Sequence, residues 1–453
     1  MNSKRRSHIL CVLAILAVNC PEAAAQDDLD DVKGELSTLR TEIGSLRREV
    51  EELRALLGRE RRTNETVAGP QGTLGAQTPQ PSLEVLQTQV AELAQVKVES
   101  TSRMPVKIFG TIHTNAFANS AAPNWLDSPN LVNPAPADGH NGSFSATLRQ
   151  TRLGLTVDGP AIKGVRTNAT VAMDFFAGIP GFVTGQVMGL PRLLFAYARF
   201  EGKQTAVEVG QDHMIMAPVD PTSLASFAFP ALFRSGNLYL RTPQARIEQA
   251  LGAHVRVIGG IVAPIGGDVP GEDYRFVPQA FSGERSRRPG VQARIVSSTG
   301  DRDTHRHADL GVSGHYGWER RPTALARSFA GAVDFTIRRD YFGAAGEWFV
   351  GQNVDAFGGG VGLDARAQGG WAELQLHQSE RLSFAAGFGS DRLRGAIPAA
   401  LPRHRNRSAY GTALFSLTPE IQASFEYHWL ATQPSAGSER RNHHFDWVLA
   451  YKF

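Results

Sequence analysis

Six arginines, Arg152, Arg166, Arg241, Arg246, Arg256 and Arg294, stand in or beside segments whose apolar residues recur at every second position. Arg152 opposes Leu153 and Leu155, Arg166 opposes Val165 and Val171, Arg256 opposes Val255 and Val257, and Arg294 opposes Ala293 and Ile295. Side chains alternate across a strand, so these guanidiniums share a face away from the apolar residues. Arg241 and Arg246 flank Pro243, where a bulge would let both point the same way. A guanidinium is always charged, and its planar fork of donors suits carboxylate or phosphate. The chemistry predicted is anion binding without bond making. The competing reading is ion pairing with Asp158, Asp174, Glu208 and Glu248, which would only stiffen a wall.

A second group follows at His213-Met214-Ile215-Met216-Ala217-Pro218-Val219-Asp220-Pro221, in a connection running on to Gly236. Phe227, Phe229, Leu232 and Phe233 make it too apolar for an exposed loop. Folding inward would bury them and form a constriction with Asp212, His213, Asp220 and Arg234 as its polar groups. An outward cap or a subunit contact is the alternative. Asp301, Asp303, His305, His307 and Asp309 alternate like metal ligands, but so polar a turn is more simply solvated. G-x-S-x-G, H-E-x-x-H, P-loop and dinucleotide signatures are all missing from the sequence. The reading is a non-enzyme without cofactor, metal or nucleic-acid partner.

The elements that must position these residues are strands. From Val106 onward sixteen period-two segments recur, among them Phe144–Asp158, Asn237–Gln249, Pro289–Ser297 and Asp309–Gly317. Short and long connections alternate; the short ones include Asp158-Gly159-Pro160 and Thr418-Pro419. Ser298–Ala308 breaks this rule by being long where a short turn is due. In the last segment Phe445, Trp447, Leu449, Tyr451 and Phe453 share one face. Such segments fit an all-β transmembrane barrel of sixteen antiparallel strands, apolar toward lipid and polar toward the lumen. Lysine or arginine facing lipid at mid-depth costs about 2–4 kcal/mol, which again directs the strand arginines inward or to the rims.

The front end reads differently. Residues 1–25 have the pattern of a signal peptide: Lys4, Arg5 and Arg6, an apolar run from Ile9 to Val18, then Ala23-Ala24-Ala25. Cys11 and Cys20, the two cysteines of the chain, both fall within it. In residues 26–58, Leu29, Val32, Leu36, Leu39, Ile43, Leu46, Val50, Leu53 and Leu57 repeat at spacings of three and four, the seam of a coiled coil. Residues 59–103 read as a linker rich in Gly, Pro, Gln and Thr, with a short second helix at Leu83, Leu86, Val90 and Leu93. The barrel takes residues 104–453. It carries 34 Lys plus Arg (47 less 13 upstream) against 29 Asp plus Glu (44 less 15), an excess of cations that is nearly all arginine.

The final strand resembles the assembly signal of bacterial outer-membrane barrels, which the barrel-assembly machinery reads. The whole mature pattern resembles DcaP-like outer-membrane porins and, more distantly, OprP-type phosphate-selective porins. The residues carrying the resemblance are Arg152-Leu153-Gly154-Leu155, Gly210-Gln211 and Gln244-Ala245-Arg246-Ile247. It implies a homotrimer in the lipids of the outer membrane of a Gram-negative-type bacterium, assembled through barrel and coiled coil. The N-terminal extension would lie in the periplasm. The solutes implied are small anions such as dicarboxylates or phosphate, with lumen roles carried over to Arg152 and Arg246. His213 departs from the aromatic usual after Gly-Gln, and lysines are too few for a phosphate-type ladder. A tether using the coiled coil, or a hydrolase built into the barrel, are the other classes.

Overall fold

A computed structural model describes residues 105–178, 189–266, 280–301, 306–362, 364–397, 399 and 401–453. The signal peptide, coiled coil and linker expected over 1–103 lie outside the described residues. The strands are β1 Val106–Asn119, β2 Ser143–Thr147, β3 Arg152–Asp158, β4 Arg166–Asp174, β5 Arg192–Glu201 and β6 Thr205–His213. They continue as β7 Arg241–Leu251, β8 Val255–Val262, β9 Gly290–Asp301, β10 Arg306–Arg320, β11 Leu325–Arg338 and β12 Phe342–Gln352. The last five are β13 Arg366–His377, β14 Leu382–Arg394, β15 Arg405–Ser416, β16 Ile421–Gln433 and β17 Arg440–Lys452.

Each strand from β3 on pairs antiparallel with the next, and β1 pairs with β17 from Thr111↔Lys452 to Asn119↔His444, closing the barrel. β2 and β3 are one stave broken at Leu148–Thr151: both pair with β1, which spends four steps from Thr111 to Asn115 where the stave spends five. The barrel therefore has sixteen staves among the described residues. Closure matters because a strand edge in hydrocarbon would leave its N–H and C=O groups unpaired.

The burial pattern is the reverse of a water-soluble protein's. Along β17 the residues Phe445, Trp447, Leu449, Tyr451 and Phe453 are 38–52% exposed, whereas Asn442, His444, Asp446, Val448 and Ala450 are buried. Leu374, Phe388, Val312, Ile295 and Trp348 are likewise outward and exposed, while Asp334, Glu347, Glu373 and Glu426 are buried inside. Large apolar faces outside and carboxylates within suit a wall solvated by lipid. No helix among the described residues is long and apolar enough to cross a membrane.

The structure corrects three expectations. The connection at Ser298–Ala308 is not long, because the ladder continues through Ala308↔Thr299, His307↔Gly300 and Arg306↔Asp301. These strand ends are polar on both faces, so the alternation that marks a lipid-facing strand disappears where the strand continues. Asp303 and His305 lie outside the described residues, and the other members of the suggested metal set sit in that ladder. The strand expected from Asn237 begins at Arg241, so Asn237 to Leu240 belong to the preceding loop. Pro243 makes no bulge: the β6–β7 ladder runs unbroken from Thr205↔Gln249 to His213↔Arg241.

The closing seam is held at its end by Gly110 and Phe453, whose backbones exchange hydrogen bonds of 3.0 and 3.1 Å. A Cβ on Gly110 would meet the Phe453 ring at 2.5 Å. Gly110→Val should therefore push the ring off the seam and lower the temperature at which the folded, fast-migrating band disappears in unboiled gels. An unchanged transition would show that this contact contributes nothing to closure.

Candidate functional site

The loop between β6 and β7 crosses the barrel interior, and polar groups of the wall hold it there. Gln292 on β9 accepts from Ile215 N (2.8 Å), and Ser313 on β10 accepts from Ala217 N (3.2 Å). Glu373 on β13 accepts from Thr222 N (2.9 Å), and Glu426 on β16 from the Ser223 hydroxyl (2.6 Å). Gln150, in the break of the second stave, accepts from Phe227 N and Ala228 N at 2.8 and 2.9 Å. Glu347 on β12 accepts from Leu238 N, and Asn406 on β15 donates to the Arg234 carbonyl. Side chains from six staves and the break in a seventh thus satisfy a loop that has few backbone partners of its own.

Inside, the loop lays aromatic rings against residues from two other loops. Trp125 stacks on Phe229 (centroids 4.5 Å apart), Phe229 on Phe233 (5.2 Å), and Tyr239 meets Phe233 edge-on (6.1 Å). Guanidiniums lie over these rings. Arg192 is 4.8 Å from the Phe229 centroid, Arg234 is 5.6 Å from Trp125, and Arg241 is 4.8 Å from Phe195 and 5.1 Å from Tyr239. Arg152 sits 4.0 Å over Phe227 and donates to its carbonyl at 3.0 Å. Rings hold such cations by their quadrupole without neutralising them. Arg192, Arg234 and Arg241, with Trp125, Phe229 and Tyr239, line a cavity of about 310 Å³.

The six strand arginines separate into two groups. Arg246 pairs with Glu208 (3.0 Å), Asp212 (2.8 Å) and Glu248 (3.3 Å). Arg294 forks onto Asp334 at 2.5 and 3.2 Å. Arg166 meets Glu201 at 3.0 Å and Arg256 meets Glu248 at 4.0 Å, both from exposed positions. Arg152 and Arg241 have no carboxylate within ion-pair distance among the described residues. Pairing with wall carboxylates therefore describes four of the six. Arg241 reaches the aromatic cluster as the first residue of β7, at the loop junction, and needs no bulge.

The suggested constriction groups also divide. Asp212 belongs to the Arg246 cluster. His213 packs its ring on Phe195 (5.5 Å) and Tyr239 (5.6 Å) and offers its carbonyl to Gln244 at 2.7 Å. Arg234 has a positive φ of 62°; burial, then the neighbouring Arg403, lower its pKa to about 10, so it stays charged at neutral pH. Asp220 is open to interior water but enclosed by wall. Enclosure pushes its carboxyl up to about 6, against Arg241, Asn237 and Arg152, which pull it down.

Sequence reasoning missed Arg192, which forks onto Asp174 at 2.6 and 3.0 Å, and Arg199, held by Glu208 and Glu248. It also missed Arg403, which donates to the Arg234 carbonyl at 3.1 Å. Arg192 is the first residue of β5, and its place at the start of a period-two segment was a usable signal. The register shift at Ala172/Met173 breaks a parity count there. Arg403 lies in a long connection without period, where no signal exists.

The Arg246 cluster generates a stability prediction. Arg246→Ala leaves Glu208 and Asp212 facing each other without their shared cation, a loss of about 3 kcal/mol. Its guanidinium unfolding midpoint should fall well below that of Arg152→Ala. Equal midpoints would contradict the division into structural and unpaired arginines.

No protein-family model matches the chain, and no curated protein matches it. Among solved structures, the outer-membrane channel DcaP of Acinetobacter baumannii superposes with a TM-score of 0.62 at 14% identity, covering 78% of this chain and 99% of that one. The anion-selective porin from Comamonas acidovorans gives 0.52 at 9% identity, covering 78% and 100%. Salmonella typhi OmpF, in complex with daunomycin, gives 0.50 at 7% identity, covering 77% and 97%. The described barrel thus has the sixteen-stave fold of outer-membrane porin channels.

Proposed function

We propose that the protein is an outer-membrane channel through which small hydrophilic solutes diffuse passively, with a preference for anions such as dicarboxylates or phosphate. The observation carrying this reading is the unequal placement of interior charge. Most wall arginines are matched to carboxylates, whereas Arg152, Arg234 and Arg241 lie on aromatic rings beside the inward loop. An uncompensated guanidinium in a narrow lumen attracts anions and repels cations. The similar Comamonas structure is described as anion-selective, which agrees with this reading. A homotrimer with a separate pore in each protomer is part of the proposal, as are the periplasmic coiled coil and recognition of the last strand by assembly machinery.

Liposome uptake tests the reading directly. Purified protein should admit a four-carbon dicarboxylate faster than a cationic solute of equal size. Arg152→Ala combined with Arg241→Ala should lower dicarboxylate entry several-fold and leave entry of a neutral sugar nearly unchanged. Equal entry of all three solutes through the unaltered protein would sink the proposal. A tether or a barrel hydrolase would give no solute entry at all.

Asp220 adds a pH dependence with a defined sign. Its raised carboxyl takes up a proton as pH falls through about 6, which removes a negative charge near Arg241 and Arg152. Anion preference should rise between pH 7 and 5, and Asp220→Asn should hold the higher value at both. A preference that falls on acidification, or the same rise in the Asn variant, would exclude Asp220 as its source.

A further inference from the structure

The outer face of β13, β14, β15 and β17 carries a feature the channel does not use. Arg366, Arg392, Arg394, Arg405, Arg407 and Arg441 stand at one end of these strands, on the parity that points away from the lumen. Arg392 and Arg394 share that parity with the exposed Phe384 and Phe388, and Arg405 and Arg407 share it with the exposed Phe415. Cross-strand pairing places Arg366 opposite Arg394 and Arg392 opposite Arg405. Like charges directly opposite destabilise a ladder, so two such pairs side by side call for a counter-charge. Among the described residues the row is ion-paired to a single carboxylate, Glu439, which meets Arg407 at 2.5 Å, Arg441 at 3.1 Å and Arg405 at 3.5 Å. Arg366, Arg392 and Arg394 have none.

Beneath the arginines the same face is shaped for hydrocarbon. A cleft of about 570 Å³ runs between Trp348, Phe388, Arg392, Arg405 and Arg407, floored by Gly370. Further along the strands lies an apolar trough of about 730 Å³, lined by Leu374, Phe384, Ala386, Gly411 and Ala413. Small residues on adjacent strands leave the groove, and Phe and Leu form its banks. Cations above and an acyl-sized trough below fit one amphiphile spanning both. The arginine end is the end of the long connections, residues 395–404 between β14 and β15 and 434–439 between β16 and β17. In outer-membrane barrels that end faces outward; the leaflet therefore rests on the outer-membrane reading above.

We propose that this face binds a phosphorylated glycolipid of the external leaflet, a lipid A-type molecule. Its phosphates would lie among Arg392, Arg405 and Arg407, and an acyl chain would run down the Gly411 trough. Several phosphates on one head group match a row of arginines better than the single phosphate of a glycerophospholipid, since guanidinium forks take phosphate oxygens bidentately.

The test uses the full-chain protein in detergent, with lipid A, dephosphorylated lipid A and phosphatidylglycerol as probes and bound lipid read by native mass spectrometry. Lipid A should be retained at least about tenfold more tightly than either other probe, tenfold being 1.4 kcal/mol. R392S/R405S/R407S should lose that difference. G411L should weaken retention while keeping every arginine; a Cβ at Gly411 meets nothing within 4 Å, so this variant keeps the test open if the triple variant misfolds. Equal binding of phosphorylated and dephosphorylated lipid would overturn the proposal, and so would phosphatidylglycerol binding as tightly as lipid A. Variants that separate subunits but keep lipid A would also overturn it and mark the face as a contact between copies. Solute entry through each variant, measured separately, keeps a failure of this proposal distinct from a failure of the channel reading.

Discussion

A sheet surrounded by hydrocarbon has to close, because no water is there to take an unpaired N–H or C=O. Everything else in this structure follows from the seam where β1 meets β17. Closure turns the large apolar residues outward and leaves the inward positions to polar ones, since the interior is the face that water reaches. The interior then holds an unusual density of carboxylates, amides and guanidiniums. Each must find a partner or remain in contact with water.

Most of that polar inventory is committed to structure. Gln150, Gln292, Glu347, Glu373 and Glu426 hold the inward loop by its backbone and hydroxyl groups. Glu208, Glu248, Asp174 and Asp334 neutralise Arg246, Arg199, Arg192 and Arg294. Because the acceptors are used in these ways, the side of the lumen lined by Trp125, Phe229, Phe233 and Tyr239 is left with cations over rings. Selectivity in the proposed channel is what remains after the wall and the loop have been satisfied. The outer arginine row is the same problem on the other face, where the counter-charge would come from lipid.

Much of the fold was legible in the sequence because lipid enforces alternation. Phe144–Asp158 was read within a residue of its outer bounds, though not its break at Leu148–Thr151, and the alternation of the last segment matches β17. The reading failed at Ser298–Ala308, where the strands continue on polar residues without the pattern. Parity told which way Arg294 points, and Arg246 was turned inward through a bulge that does not exist; neither reading told whether they are paired. That depends on register: Glu208 lies directly across the ladder from Arg246, and Asp334 reaches Arg294 from β11, with β10 between their strands. The contact between Arg152 and Phe227 was not legible at all, since it depends on a loop conformation built from wall contacts.

If interior charge favours anions, the zero-current potential of the unaltered protein in a planar bilayer will show it. Under a tenfold gradient of potassium chloride at neutral pH, the sign of the potential should show chloride crossing more readily than potassium. A cation-favouring potential, or the absence of any current from correctly folded protein, would contradict it.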